Sequence, residues 1–194
     1  MRILLLSLLV SLTTFPAFSA WLLDNQFSKL SFVTIKKGDI AENHHFARLA
    51  GKVNKEGKVN FTVDLTSVDT KIAIRDDRMK QFLFNTDKFP KANFKAALDM
   101  QKINKLASGK TLLMPLTGSI SLHGQKQEVS TQVLVAKLTK DKFVVSSMQP
   151  VLINAKNYDL VAGVAKLREL AGLPSISNAV PVSFVLSFNQ AHTG

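Results

Sequence analysis

Between Lys58 and Leu65 the stretch KVNFTVDL places Val59, Phe61, Val63 and Leu65 at every second position, with Lys58, Asn60, Thr62 and Asp64 between them. A period of two marks an extended strand with one face in a core and the other in water, because successive side chains leave opposite faces of a sheet. The pattern recurs. LMPLTGSISLHG sets Met114, Leu116, Gly118, Ile120 and Leu122 against Pro115, Thr117, Ser119 and Ser121, and VPVSFVLSF sets Val182, Phe184, Leu186 and Phe188 against Ser183 and Ser187. SKLSFVTIKK, HFARLAGKV, ANFKAAL and FVVSSMQPVLI supply further strands, and hairpin-length turns such as NKEG, HG and TKDK separate several of them. About eight short strands following one another pair as an antiparallel meander rather than as βαβ units. Closing the meander removes its exposed edges, so the expected fold is all-β, an eight-stranded antiparallel up-and-down barrel.

Two segments break this rhythm. TKIAIRDDRMKQFLF carries Ile72, Met79 and Phe82 or Leu83 near helical spacing, with Asp76 and Lys80 four residues apart, and predicts a short helix. DLVAGVAKLRELAGLP carries Leu160, Val164, Leu167 and Leu170 on one face and then Gly172 and Pro174 as stop signals, which predicts a second. One or two short helices on a barrel plug or cover its ends.

The apolar supply is unusual in kind. Thirteen Phe stand against one Trp and one Tyr, which points to a Phe-rich interior that is either lined or filled. The N-terminal MRILLLSLLVSLTTFPAFSA has a basic Arg2, an apolar run from Ile3 to Leu12 and small residues at Ala17 to Ala20. That order predicts a cleaved secretory signal over residues 1–19, because an apolar run of about ten residues is roughly half of a bilayer span. Residues 20–194 then form one barrel domain, with no repeat or low-complexity linker to divide it. The expected location is the periplasm, with secretion as the alternative. Cysteine is absent, which excludes disulfide scaffolds, thiolate metal sites and Cys nucleophiles. The net charge of +11 falls to about +10 once Arg2 leaves. On an exported protein that charge suits contact with an anionic membrane surface better than nucleic acid, and it leaves a homodimer open.

Motifs of catalysis are missing. Arg75, Asp76, Asp77 and Arg78 form the densest charge run, but neighbouring helical residues point about 100° apart, so the two carboxylates make a poor acid-base pair. Mutual neutralisation that ties a helix across the barrel is the simpler role. His44, His45, His123 and His192 lack metal-binding spacing, and no G-x-S-x-G, P-loop or GxGxxG occurs. No metal, no cofactor and no catalytic residue are expected. The run QFLFNTDKFPKANF interleaves Phe with Lys88, Lys91 and Lys95, as single-strand binders do, but export favours a core or cavity wall and no nucleic-acid partner.

In these same residues the chain resembles the YceI-like family of exported polyisoprenoid-binding proteins. The resemblance rests on SVDT (Ser67 to Thr70), RD (Arg75 and Asp76), Met79, the FLF cluster and FPKANF from Phe89 to Phe94. LTGSISLHGQKQEV and NAKNYDL extend it, so that it spans roughly Trp21 to Phe188. It implies a lipocalin-like eight-stranded barrel that holds an isoprenoid or another apolar lipid in its lumen without enzymatic activity. The segment VAGVAKLRELAGLPSISNAV departs from the family, which has a shorter Gly-containing turn there. The expected lumen contacts are Phe61, Val63, Met114, Leu116, Val182, Phe184 and Leu186, with Phe82, Phe84 and Phe89 near the mouth. Asp69, Arg75 and Asp76 form the structural charged motif. A lipid-modifying or hydrolytic enzyme on the same barrel is the first rival, and a filled barrel with a basic docking surface is the second.

Overall fold

A computed structural model describes residues 20–191; residues 1–19, which carry the expected export signal, and His192 lie outside the described residues. The strands in chain order are β1 (Trp21–Lys36), β2 (Ile40–Phe46), β3 (Leu49–Val53), β4 (Lys58–Asp64), β5 (Val68–Asp69) and β6 (Lys91–Ala97). They continue with β7 (Lys110–Leu122), β8 (Gln125–Thr139), β9 (Lys142–Ser147), β10 (Val151–Asn154) and β11 (Ala179–Gln190). Eight of them, β1, β3, β4, β6, β7, β8, β9 and β11, pair antiparallel in that order, and β11 returns to β1. The sheet is a closed up-and-down barrel.

The remaining strands are continuations rather than extra staves. β2 runs on from β3 along the second half of β1, and β10 runs on from β9 along the first half of β11. The first break, at Ala47 and Arg48, arises because their amides donate to the Ser67 carbonyl and to Ser67 Oγ instead of to a neighbouring strand. The second falls beside Pro150, which has no amide to give a ladder. β7 turns into β8 through His123 and Gly124, whose φ angles of 51° and 79° match the handed two-residue turn that hairpins favour.

Alternation sorts the side chains as the sequence requires. Val59, Phe61, Val63 and Leu65 are all buried. One end of the barrel is closed by Trp21, Phe143 and Phe188, with Phe143 edge-on to Trp21 at 4.7 Å and stacked on Phe188 at 5.2 Å. A helix absent from the sequence expectation, α2 (Met100–Lys105), covers this floor with the fully buried Ile103. Its signal was a capping pattern: the Asp99 side chain accepts from the Lys102 amide, and Met100 and Ile103 lie three apart.

The opposite end carries α1 (Ala73–Arg78), a π-helical turn from Met79 to Phe84, and α3 (Val161–Leu170). Both expected helices are present, but the first changes its winding. The buried Met79 and Phe84 lie five positions apart, so the wide turn puts them on one face and rotates Phe82 outward to 37% exposure. Ile72 precedes the helix in extended conformation and is also exposed. Lys80 pairs with Asp77 at 3.1 Å and not with Asp76, which is turned inward.

Candidate functional site

The barrel encloses a cavity of about 470 Å³ above the aromatic floor. Its wall comes from alternate positions of the strands: Leu30 and Phe32 on β1, Val59, Phe61 and Val63 on β4, Phe94 on β6, Leu116 on β7, and Val182, Phe184, Leu186 and Phe188 on β11. Met79, Leu83 and Phe84 of the π-helical turn and Val164 and Leu167 of α3 roof it. A space of this size, with so apolar a wall, falls in the range of small-molecule sites.

The roof is held by a close crossing. A Cβ placed on Gly163 of α3 would stand 2.6 Å from the Phe82 carbonyl oxygen and 2.8 Å from Leu83 Cα, so only glycine lets the two helices meet. Gly163→Ala therefore separates two effects of opposite sign. Helix propensity alone would add about 1 kcal/mol of stability, whereas backbone overlap costs about 1–3 kcal/mol. The expected outcome in urea unfolding is a net loss; a gain would mean that the roof does not depend on this contact.

At the roof end the wall turns polar. Thr34 and Lys36 continue the inward face of β1 beyond Leu30 and Phe32, and Glu42, His44 and Phe46 form the inward face of β2. Glu42 receives Lys36 at 3.0 Å and Arg75 at 2.6 Å. Arg75 also donates to the Thr70 carbonyl at 2.7 Å, while Thr70 donates from its amide and its hydroxyl to Asp76. His44 is 4% exposed and shares a 2.9 Å hydrogen bond with Thr34 Oγ1.

These contacts set two titrations. The hydrogen bond from Lys36, with further help from Arg75, holds the Glu42 carboxyl below its ordinary 4.5 against the opposing effect of burial. Burial and the Arg75 charge hold the His44 imidazole below 6.5, more than Glu42 and Asp76 raise it. The unfolded chain thus takes up a proton at His44 before the folded one does, and stability falls as pH drops below about 6.5. Glu42 contributes stability that is present above 4.5 and lost below it. Melting temperature is expected to decline from pH 7.5 to pH 5.5, and His44→Gln to flatten that slope; an unchanged slope in the variant would remove His44 as its source.

The YceI-like domain profile matches residues 21–188. The chain belongs to the YceI-like family. A polyisoprenoid binding domain from Saccharophagus degradans, implicated in plant cell wall breakdown, is 35% identical over 90% of this chain and 100% of that one, with a TM-score of 0.87. BcnA of Burkholderia cenocepacia is 18% identical over 85% and 98%, with a TM-score of 0.66. A YceI protein of Campylobacter jejuni is 14% identical over 77% and 85%, with a TM-score of 0.56. These last two share the fold. No functionally curated protein matches the chain.

In this YceI-like barrel seven of the ten candidate lumen residues, Phe61, Val63, Phe84, Leu116, Val182, Phe184 and Leu186, line the cavity. Three stand elsewhere. Met114 faces inward but lies nearer the floor, paired across the sheet with the fully buried Val133. Phe82 is turned out by the π-helical winding. Phe89 packs on the outside of the β7–β8 turn, its ring 4.6 Å from that of His123. Of the charged motif, Arg75 and Asp76 pin α1 to Thr70, while Asp69 binds Lys71 and lies 3.6 Å from His45. Asp76 and Asp77 point apart, the first to Thr70 and the second, largely exposed, to Lys80. Lys36, Glu42, His44 and Arg78 were not among the sequence candidates. For the strand residues the signal was parity, since Thr34 and Lys36 share the alternation of Leu30 and Phe32, and Glu42 and His44 that of Phe46; Arg78, on α1, had none.

Proposed function

We propose that this YceI-like protein is an exported, non-enzymatic carrier that holds the chain of a prenyl-type lipid in its barrel. The observation that carries this reading is the cavity itself, roofed and walled by aliphatic and Phe side chains. Such a wall offers a branched hydrocarbon chain burial worth about 0.8 kcal/mol per methylene and asks for no polar partner along most of its length. The polyisoprenoid binding domain at 35% identity supports the same class of cargo. The separated carboxylates Asp76 and Asp77 favour a binding role over hydrolysis. Removal of residues 1–19 would deliver the barrel to the periplasm, where a basic surface can approach anionic lipid.

The test is mass spectrometry of an organic extract of the protein purified from its native envelope. A prenyl lipid at near-stoichiometric amount is expected. A protein free of lipid, which also fails to take up an added long-chain prenol, would overturn the carrier reading.

A further inference from the structure

The charges around the cavity do not balance. Three cationic side chains, Lys36, Arg75 and Arg78, line it, against one carboxylate, Glu42, which is shared by Lys36 and Arg75. Arg78, half-buried, makes a single hydrogen bond, from Nη1 to the Leu170 carbonyl at 3.2 Å, and among the described residues it has no ion pair. The nearby acids are engaged elsewhere: Asp76 by Thr70, Asp77 by Lys80, and Glu169 by Lys166. His44 is held neutral by burial and adds no charge. Thr70 is neutral and leaves the Asp76 charge in place, so the roof end of an apolar cavity keeps an excess of about one positive charge and a guanidinium using one of its five donors.

We propose that the cargo carries a phosphate-type anionic headgroup, seated on Arg78 with Lys36 and Arg75 alongside, while its hydrocarbon chain fills the lumen. The proposal rests on the lipid-carrier reading and names the cargo's head. A guanidinium presents parallel N–H groups that match two oxygens of one phosphate, and such charge-assisted bonds are stronger where water is partly excluded. A phosphate monoester near neutral pH carries a charge of about −1.5 to −2 and three acceptor oxygens, enough to offset the local excess and to occupy the free donors of Arg78. An uncharged alcohol would leave that excess uncompensated. The Leu170 carbonyl is a partner that can be given up, since it lies in the last turn of α3, where orphan carbonyls are ordinarily met by water.

The experiment measures binding of geranylgeranyl phosphate, geranylgeraniol and geranylgeranoic acid, which share one hydrocarbon chain, to the protein stripped of lipid at pH 7.5. The phosphate is expected to bind about ten- to a hundredfold more tightly than the alcohol, the range of charge-assisted hydrogen bonds. Arg78→Gln is expected to erase most of that advantage, and Arg78→Lys to restore part of it. Alcohol and phosphate binding equally to the wild type would overturn the headgroup proposal and leave the carrier reading standing. The acid binding as tightly as the phosphate would overturn the assignment to phosphate. Binding of none of the three would bring down both readings. The wild-type comparison decides the matter even if the Gln variant fails to fold.

Discussion

Phe184→Arg is expected to fold as a barrel and to yield no lipid on extraction, in contrast to the lipid expected with the wild-type protein. Phe184 lines the cavity from β11 between Val182 and Leu186, and its amide donates to Ser147 Oγ where β9 gives way to β10. Its side chain is only half-buried. An arginine can therefore extend along this wall and keep its head near water, so the barrel survives the change. A bound hydrocarbon chain cannot share the space, because filling the lumen would strip water from a guanidinium with no carboxylate on the neighbouring wall positions of β11, at a cost of several kcal/mol. The measurement is the same organic extraction, with circular dichroism to verify the sheet. A folded variant that retains a full complement of lipid would show that the cargo does not occupy this cavity.

The second large effect concerns the floor. Phe143→Ala is expected to lower the unfolding free energy by about 3–5 kcal/mol, the range for removing a fully buried aromatic ring. The ring is wholly buried and touches two others, Trp21 on β1 and Phe188 on β11. It thus joins the three strands that complete the barrel's closure. Lys137 Nζ lies 5.0 Å from the Trp21 ring and seals the same end with its stem. Because Phe188 also lines the lipid cavity, its support from below fixes where that cavity stops. Against a typical total of about 5–15 kcal/mol, the variant would sit at the edge of stability at ambient temperature. Urea unfolding with an unchanged slope would report it. A loss below about 1 kcal/mol would mean that the floor collapses into the void and that the aromatic cluster is not what closes the barrel.

The barrel was legible because its signal is local and repeated. Alternation in KVNFTVDL, LMPLTGSISLHG and VPVSFVLSF assigns the inner face whatever the partners are, since a shift of one residue would turn every apolar side chain into water. Six of the seven candidate residues that line the cavity do so for that reason, while Phe84 reaches it from the π-helical turn. Phe82 and Phe89 stand away from the cavity lining, where the chain leaves the strands: a π-helical turn changes the angular phase without changing composition, and a loop aromatic obeys no period.

The polar end of the cavity needed the tertiary structure. Thr34 and Lys36 could be placed inward from β1 alone, but Glu42 meets Lys36 only through the register of β1 with β2, and Arg75 only through the docking of α1 beside them. The RD pair was visible as charge, yet which Asp turned inward depended on Thr70 offering both its amide and its hydroxyl. Whether the Phe-rich interior is full or hollow was equally beyond the sequence. The alternation by itself determined an antiparallel sheet with one apolar face, because that depends only on neighbours along the strand. The open lumen, its roof at Gly163 and an Arg78 without an ion pair among the described residues were decided by the tertiary structure alone, because each depends on how much space and charge remain after distant segments have met.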